Sequence, residues 1–338
     1  MLDGGSGSAM VSIGELARAT GVPVRTIRYY CDEGIVQAQR SAGGHRVFDA
    51  ESATRQLVLV RRLRALGLGL EAIVEVLRGQ RSIAEAVAAE SVRLDLELRT
   101  LAWRRASLRA VEAATPAERE ARLGLLAAAQ DGHAVRDCVV QFWRRMLSPL
   151  TPRDLDTFVC GNIPELPADP SVSDVVAYAE LAALVGDATL YGAVGRQLWR
   201  TRPEAIRDRR ALFLGVGEVL VDVLPLVATG TRPDAGVQLD RFVDVHAGAR
   251  AERDSPRFRA ELLVGATDTD QRIHRYWTLT AQLFGGTATV GHAHGWLFDA
   301  LCGPAADRHE LERVLYSGGV VPAIPQGVQR CTNGPTKT

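Results

Sequence analysis

The segment VPVRTIRYYCDEGIV, residues 22–36, gathers side chains that can bind an anion on one short stretch of chain. On an α-helix, side chains three and four positions apart share a face. Arg25, Arg28 and Tyr29 would therefore lie together, with the Thr26 hydroxyl beside them. A guanidinium group grips a phosphate or a guanine edge with two hydrogen bonds, and hydroxyl groups suit phosphate oxygens. The spacing predicts a helix that enters the major groove of DNA.

The residues that follow predict a second anion-binding element. The segment QAQRSAGGHRVFD contains a glycine pair, Gly43 and Gly44, at which the backbone can turn closely beside DNA. Arg40, His45 and Arg46 flank this turn and can reach the sugar-phosphate chain. We therefore expect a basic hairpin that follows the helix.

Two helices and a hairpin are needed to position these side chains. Ser12, with Glu15 three residues later, predicts a capping box for a helix that Gly21 closes. A second helix is expected from Val24 to Glu33, after a three-residue turn. The hairpin strands are expected at 36–40 and 45–48, and further helices at 50–66 and 70–77.

The second helix has an apolar side as well as a basic one. Ile27 and Tyr30 fall opposite the arginines and are expected to pack inward. The alternative is a structural helical subdomain with solvated arginines. That alternative does not explain why a helix, a turn, a second helix and a basic hairpin occur together at this spacing.

Three segments over about residues 11–78 resemble the MerR family of transcriptional regulators: IGELARATGVPVRTIRYYCDEGIV, GGHRVFD and RQLVLVRRLRALGLGLEAIVEVL. The resemblance implies a winged helix-turn-helix and a long helix that pairs antiparallel in a homodimer. It also implies a mechanism, in which the dimer binds a palindrome inside an over-long promoter spacer. An effector then makes the protein bend and untwist the DNA, which realigns the promoter for RNA polymerase.

The residue pattern and the resemblance together predict the contacts with double-stranded promoter DNA. Arg61 and Arg62 correspond to phosphate clamps, and Arg40 and Arg46 to wing contacts. Two positions depart from the family pattern, because Cys31 replaces a frequent acid and Gly69 replaces a capping Ser or Thr. The full predicted set is Arg18, Arg25, Thr26, Arg28, Tyr29, Arg40, His45, Arg46, Arg61 and Arg62.

A run without Gly or Pro from Ser82 to Ala114 predicts the dimerisation helix. Apolar residues recur along it every seven positions, but the alternate seam position is mostly polar, with Leu98 as its one apolar member. This partial heptad suits one pairing helix better than a long coiled coil. The predicted dimerisation residues are Val87, Leu94, Leu98, Leu101 and Leu108.

The rest of the chain reads as helical, so the expected fold class is mainly α, with an all-helical C-terminal effector domain. No alternation of strands and helices predicts a parallel sheet. The expected helices are 117–130, 133–147, 152–159, 172–185, 188–200, 203–228, 234–253, 256–264, 268–284, 293–302 and 305–315. The expected domains are a flexible leader at 1–9, the DNA-binding domain at 10–80, the dimerisation helix at 81–115, the effector domain at 116–321 and a disordered tail at 322–338.

The amino-acid composition and the charge distribution indicate a globular protein. The chain has 338 residues with 46% hydrophobic and 24% charged residues, as in ordinary globular proteins. Net charge is zero, but residues 10–80 carry +3 and residues 116–338 carry −3. The longest apolar run, 211–230, is interrupted by Glu218, Asp222 and Pro225, and the N-terminus lacks a secretory pattern. We expect a cytoplasmic protein without a membrane span.

Cysteine usage argues against a metal sensor. The five cysteines form no C-x-x-C pair, so a disulfide framework or a zinc knuckle is not expected. Metal sensors of the MerR family place cysteines near the end of the dimer helix, and residues 79–137 contain none. No metal and no cofactor is predicted.

The C-terminal aromatics indicate a small organic effector instead. Trp and Phe in a helical domain are usually core residues, but aromatic side chains also line pockets for bulky ligands. The segments HRYWTLTAQLFGG and GHAHGWLFDAL concentrate such residues. The predicted pocket residues are His274, Tyr276, Trp277, His292, His294 and Trp296.

Four alternatives to a small organic effector exist for this region. It could dock a protein partner, which a flat apolar patch would favour over a cavity. A metal could bind His274, His292 and His294, although no carboxylate or cysteine stands at ligand spacing. The segment DVHAGA at 244–249 is a near miss of a cobalamin motif. An enzyme is not expected, because G-x-S-x-G is absent and GVGEVL at 215–220 lacks a preceding strand.

Overall fold

The computed structural model describes residues 9–41 and 43–303. The chain divides into two compact units, Met1–Arg99 and Thr100–Thr338. Nearly all of the expected leader, the expected helix at 305–315 and the expected tail at 322–338 lie outside the described residues.

The first unit combines short helices with a small sheet. Its elements are β1 (Met10–Ser12), α1 (Ile13–Thr20), α2 (Val24–Asp32), β2 (Gln39–Arg40), β3 (Arg46–Asp49), α3 (Ala50–Ala65), α4 (Leu70–Leu77) and the first part of α5 (Ile83–Glu112). The antiparallel sheet has the order β1-β3-β2. Its strand β1 was not predicted from the sequence, and it pairs Val11 with Phe48 of β3.

Local signals fix the helix ends in this unit. Ser12 and Glu15 form the expected capping box at the start of α1. Gly21 ends α1 in the left-handed region with φ 70°, where glycine has no steric penalty. Asp49 caps α3 by accepting a hydrogen bond from the Ser52 amide. Gly69 leaves α4 without a side-chain cap, as the sequence indicated.

One apolar core holds α2 in place. Ile27 is fully buried in it, and Tyr30 packs against its edge, as expected for the inward side of α2. The core draws on every helix of the unit; its fully buried side chains include Leu16, Ile27, Phe48, Leu57, Val60 and Ile73. Because α2 is anchored on one side only, its other side stays at the surface.

The second unit is helical throughout its described residues. Beyond the C-terminal part of α5 it contains α6 (Arg119–Ala128), α7 (Gly132–Met146), α8 (Pro152–Asn162), α9 (Val172–Gly186), α10 (Ala188–Trp199), a 3₁₀ turn (Pro203–Ala205), α11 (Arg209–Ala228), α12 (Val237–Gly248), α13 (Pro256–Leu263), α14 (Gln271–Leu283) and α15 (Val290–Cys302). The expected mainly α fold is confirmed.

Several boundaries differ from the sequence expectation, among them those of three helices in the second unit. The expected helix at 203–228 is split, because Asp208 caps α11 only after a 3₁₀ turn. The expected helix at 234–253 is shorter and ends at Gly248. The helix expected at 117–130 is α6, which is shorter and runs from Arg119 to Ala128.

Two apolar clusters dominate this unit. The first, called here the Trp143 cluster, includes Trp143, Phe142, Leu190, Tyr276 and Trp277. The second, called here the Phe242 cluster, includes Phe242, Trp199, Leu212, Val216 and Trp296. The clusters share their partly buried neighbours Leu198 and Val290, so they meet within the helical unit.

Helix α11 is the candidate for a membrane span. Among the described residues it is the one single helix that is long and apolar enough by length and composition, and α9 and α10 pass only together, as a pair bent by 84°. One side of it, which includes Leu212, Val219 and Val223, is buried in the Phe242 cluster. Asp222 on α11 forms an ion pair with Arg241 on α12. This packing is that of a core helix.

Candidate DNA-binding surface and ligand cavity

The outer side of α2 presents the side chains that the sequence singled out. Arg25, Arg28 and Tyr29 are exposed, and Thr26 is half-buried beside them. Within residues 9–41 and 43–303, neither Arg25 nor Arg28 has an ion-pair partner. Their guanidinium groups therefore remain available for an external anion.

The hairpin of β2 and β3 places three more predicted residues at the surface. Arg40 pairs in register with Arg46, and His45 stands in the turn between them. Arg46 Nη2 donates to Asp32 Oδ1 at 2.9 Å, which ties the hairpin to the end of α2. Gly44 adopts φ 79°, a conformation that glycine takes without strain.

The remaining predicted DNA contacts differ in their surroundings. Arg18 and Arg62 are exposed, and no described residue forms an ion pair with either. Arg61 Nη1 donates to the Thr20 carbonyl oxygen at 3.0 Å, at the end of α1. Arg61 therefore joins α3 to α1, a role that its position in the sequence did not indicate.

Helix α5 exposes the predicted dimerisation residues. Leu98, Leu101 and Leu108 are 63%, 60% and 64% exposed. Val87 and Leu94 are also exposed. These side chains form an exposed apolar row along one helix.

The second unit contains a cavity of about 620 Å³. This volume suits a drug-sized ligand. Its walls come from α7, α8, α10, α11, α12, α14 and α15, and residues of both apolar clusters line it. The main apolar lining residues are Trp143, Phe158, Leu198, Trp199, Leu212, Phe213, Val216, Leu220, Val221, Trp277 and Val290.

The cavity includes two of the six predicted pocket residues, Trp277 and His294. The other four predicted residues do not line this cavity. Tyr276 is in the core, where its hydroxyl oxygen accepts from Trp143 Nε1 at 2.6 Å. Trp296 donates to the Thr231 carbonyl at 2.8 Å.

The two remaining predicted histidines have structural partners. His292 Nδ1 accepts from the Thr289 amide at 3.1 Å and completes a capping box at the start of α15. His274 is exposed and bonds through Nε2 to the Asp268 carbonyl. Their nearness in the sequence suggested a shared pocket. In the structure, each histidine instead bonds to a residue that precedes its own helix.

A buried polar cluster lies beside the cavity. Arg200 and Asp268 form a two-pronged ion pair at 2.5 and 2.9 Å, and both side chains are fully buried. The lining residue Gln197 donates to the same carboxylate at 3.2 Å. The Arg200 guanidinium also lies over the Phe242 ring, 5.5 Å from its centre. Arg200 has φ 56°, a costly backbone conformation for a residue with a side chain.

Two histidines complete this cluster. His246 is fully buried, and the ring of Phe242 lies 4.6 Å from its own. Burial and then the charge of Arg200 hold the pKa of His246 well below its usual value. The same two causes lower the pKa of His294 to about 4. Both imidazoles are therefore neutral near pH 7.

These histidines have nitrogen atoms without hydrogen-bond partners. Among the described residues, both ring nitrogens of His246 and Nδ1 of His294 are buried and unpaired. A buried polar atom without a partner is costly, and such atoms call for an explanation. The His294 residue lines the cavity, although its Nδ1 atom is closed off.

Only some of the cavity residues could be anticipated from the sequence. Trp143, Trp199 and Phe213 are aromatic residues of the C-terminal region that line the cavity, but nothing in their spacing along the sequence distinguishes a cavity residue from a core residue. Gln197 and Phe158 carried no signal. Within the described ranges no group of three or more His, Cys, Asp or Glu side chains could hold a metal ion.

A helix-turn-helix with an exposed basic second helix and a basic hairpin defines a DNA-binding winged helix-turn-helix. The pattern of the MerR HTH family regulatory protein matches residues 11–80. The chain therefore carries the DNA-binding domain of the MerR family of transcriptional regulators, as its sequence indicated.

Relatives match the same region. Nodulation protein NolA of Bradyrhizobium elkanii is 40% identical over 87 residues, which is 25% of this chain and 39% of that protein. The HTH-type transcriptional regulator ZntR of Escherichia coli (strain K12) is 41% identical over 69 residues, 20% of this chain and 48% of ZntR.

A third relative is the HTH-type transcriptional regulator HmrR of Rhizobium leguminosarum bv. viciae. It is 36% identical over 61 residues, 18% of this chain and 46% of HmrR. The chain thus spans less than half the length of these relatives, two of which are named as transcriptional regulators. No solved structure matches the chain.

Proposed function

We propose that this chain is a ligand-responsive transcriptional regulator that works as a homodimer in the cytoplasm. The dimer binds a palindromic operator in a promoter spacer. A bulky organic effector in the helical domain makes it bend and untwist the DNA, which realigns the promoter for RNA polymerase. In this proposal residues 10–80 bind DNA, 81–115 form the dimerisation helix and 116–321 form the effector domain.

The unpaired guanidinium groups on α2 carry the DNA-binding part of the proposal. Arg25 and Arg28 are exposed on the side of α2 that the core does not use. Arg46 is tied to Asp32 at the end of the same helix, so the hairpin and α2 present their charge together. Arginine in this setting can contact both guanine edges and phosphates.

The cavity carries the effector part of the proposal. A cavity of about 620 Å³ lined by five aromatic side chains fits a bulky organic molecule. A protein partner would instead need an exposed apolar patch. The cavity therefore favours a small molecule as the occupant of the helical domain.

A gel-shift titration tests the DNA-binding part. The operator is first selected by the wild-type chain from a library of random duplexes. Arg28→Ala should weaken operator binding by roughly 1–3 kcal/mol, because a two-pronged base contact is lost. The matched control is Arg144→Ala, an exposed arginine on α7 of the other unit. Equal affinity of Arg25→Ala, Arg28→Ala and Arg46→Ala variants and wild type would reject the assignment of this surface.

A further inference from the structure

We propose that the cavity takes an uncharged molecule with an apolar aromatic body and a hydroxyl or carbonyl group that hydrogen-bonds His294. This inference rests on the proposed effector function and names the chemistry of the ligand. It follows from three features of the cavity: its walls, its unpaired imidazole and the charges around it.

The walls suit a flat apolar body. Five aromatic side chains line the cavity: Trp143, Phe158, Trp199, Phe213 and Trp277. Phe158 packs edge to face with Phe213, and Trp143 packs at a tilt against both Phe158 and Trp277. An aromatic ligand can continue this packing, which favours offset and edge-to-face contacts.

The polar end of the cavity is His294. Its side chain is almost fully buried, with 4% of the residue exposed, and Nδ1 has no partner among the described residues. That atom is closed off within the protein, so the ring nitrogen offered to a ligand hydroxyl or carbonyl is Nε2, for which the described residues supply no hydrogen-bond partner either. His246 belongs to the same polar cluster but does not line the cavity. The hydrogen bond with the ligand is therefore assigned to His294 alone.

The charges beside His294 already cancel. Arg200 and Asp268 neutralise each other in a fully buried pair. His294 is itself neutral near pH 7, so it offers a donor on one ring nitrogen and an acceptor on the other. A carboxylate or ammonium group placed here would lose its hydration without gaining a counter-ion.

The other charged lining residues do not change this balance. Asp154 is paired with Arg210, and Asp222 with Arg241. Glu218 has no ion-pair partner among the described residues, but it is exposed to solvent. An exposed carboxylate attracts a cation only weakly, because water and salt screen it. A neutral ligand therefore fits the cavity better than a cation.

Four pyrene derivatives test the inference by direct fluorescence titration of the full chain. They are 1-pyrenemethanol, 1-methylpyrene, 1-pyrenecarboxylate and 1-pyrenemethylammonium, which share one body and differ in the end group. We expect 1-pyrenemethanol to bind about five- to tenfold more tightly than 1-methylpyrene, the effect of one hydrogen bond. Both charged derivatives should bind more weakly than 1-methylpyrene.

Two variants locate the effect. His294→Phe should abolish the preference for 1-pyrenemethanol and keep the affinity for 1-methylpyrene within about twofold, which also shows that the variant is folded. The control His292→Gln lies on the same helix outside the cavity, and Gln can keep the capping role of His292. This control should retain the full preference.

The possible results separate the two proposals. Tightest binding by a charged derivative, or a hydroxyl preference that survives His294→Phe, would overturn this inference and leave the proposed effector function intact. Binding of none of the four compounds would overturn the effector function and this inference together.

Discussion

At the residue scale, His246 and His294 are buried, and the pKa of each imidazole is lower than usual in the folded chain. Neither ring has a carboxylate as a hydrogen-bond partner among the described residues. Burial disfavours the charged imidazolium, and the nearby charge of Arg200 adds to that effect. Protonation of either histidine therefore destabilises the folded state relative to the unfolded state.

This competition predicts a pH dependence of stability. The pKa of His294 is lowered to about 4 in the folded chain, against about 6.5 when unfolded. The unfolded state therefore binds more protons between pH 6.5 and 4, and the free energy of unfolding falls as pH falls through this window. For His294 alone the loss by pH 5 should be about 2 kcal/mol. His246 shifts in the same direction and adds to it.

Urea unfolding followed by tryptophan fluorescence measures this loss. All five tryptophans lie after residue 100, so their signal reports the helical unit. In the double variant His246→Phe/His294→Phe, the free energy of unfolding should change less with pH than in the wild type. The control His45→Gln should not, because His45 is already exposed to water in the folded chain. If the free energy of unfolding of the double variant fell with pH as steeply as that of the wild type, these two histidines would not be the cause of the pH dependence.

The residue scale also shows what spacing can predict about a site. The period of a helix was enough to place Arg25, Arg28 and Tyr29 on one outer face. It could not reveal that Arg61 bonds to Thr20, a residue 41 positions away. Nor could it find Gln197, because the pairing with Asp268 depends on the packing of distant segments.

At the element scale, the contact of α14 with α15 sets one wall of the cavity. Gly291 on α15 lies directly against the ring of Trp277 on α14, and a Cβ at position 291 would overlap that ring. Trp277 is held from its other sides by Trp143 and Tyr276. The two helices can approach this closely because position 291 has no side chain.

Gly291→Ala should therefore lower the free energy of unfolding by about 1–3 kcal/mol, the usual cost of overpacking a core. The matched control is Gly295→Ala, one turn later on α15, where a Cβ meets nothing within 4 Å. That control should be neutral or stabilising by up to about 1 kcal/mol, because alanine favours a helix. Urea unfolding of both variants checks this, and equal stabilities would contradict the close contact.

Most elements could be predicted from local signals, and the exceptions have physical causes. Caps such as Ser12 with Glu15, and Ser171 with Asp174, fix helix starts through neighbouring residues. Strand β1 has three residues and forms only by pairing with β3, a contact that no local pattern encodes. The break before α11 depends on the Asp208 cap, which an apolar helical pattern concealed.

At the scale of the whole molecule, α5 has an apolar surface that no residue of 9–41 or 43–303 covers. Toward its C-terminal end, Trp103, Ala106 and Ala110 are buried against α6, α7 and α9. Leu101 and Leu108 lie away from that side and stay exposed. With Leu98 they form a row along a helix of 30 residues. A second copy of the chain is the proposed cover.

The double variant Leu98→Asp/Leu101→Asp should raise the dimer dissociation constant about 100-fold or more. Each leucine contributes about 1.5–3 kcal/mol when fully buried, and a buried aspartate adds a desolvation cost. Sedimentation velocity across a concentration series should then show the mass of one chain where the wild type shows two. The control Leu123→Asp replaces a leucine on α6 that is 56% exposed, so it should leave the dimer intact. A double variant as dimeric as the wild type would place the interface elsewhere than on α5, and loss of the dimer in the Leu123 variant would show that the effect is general.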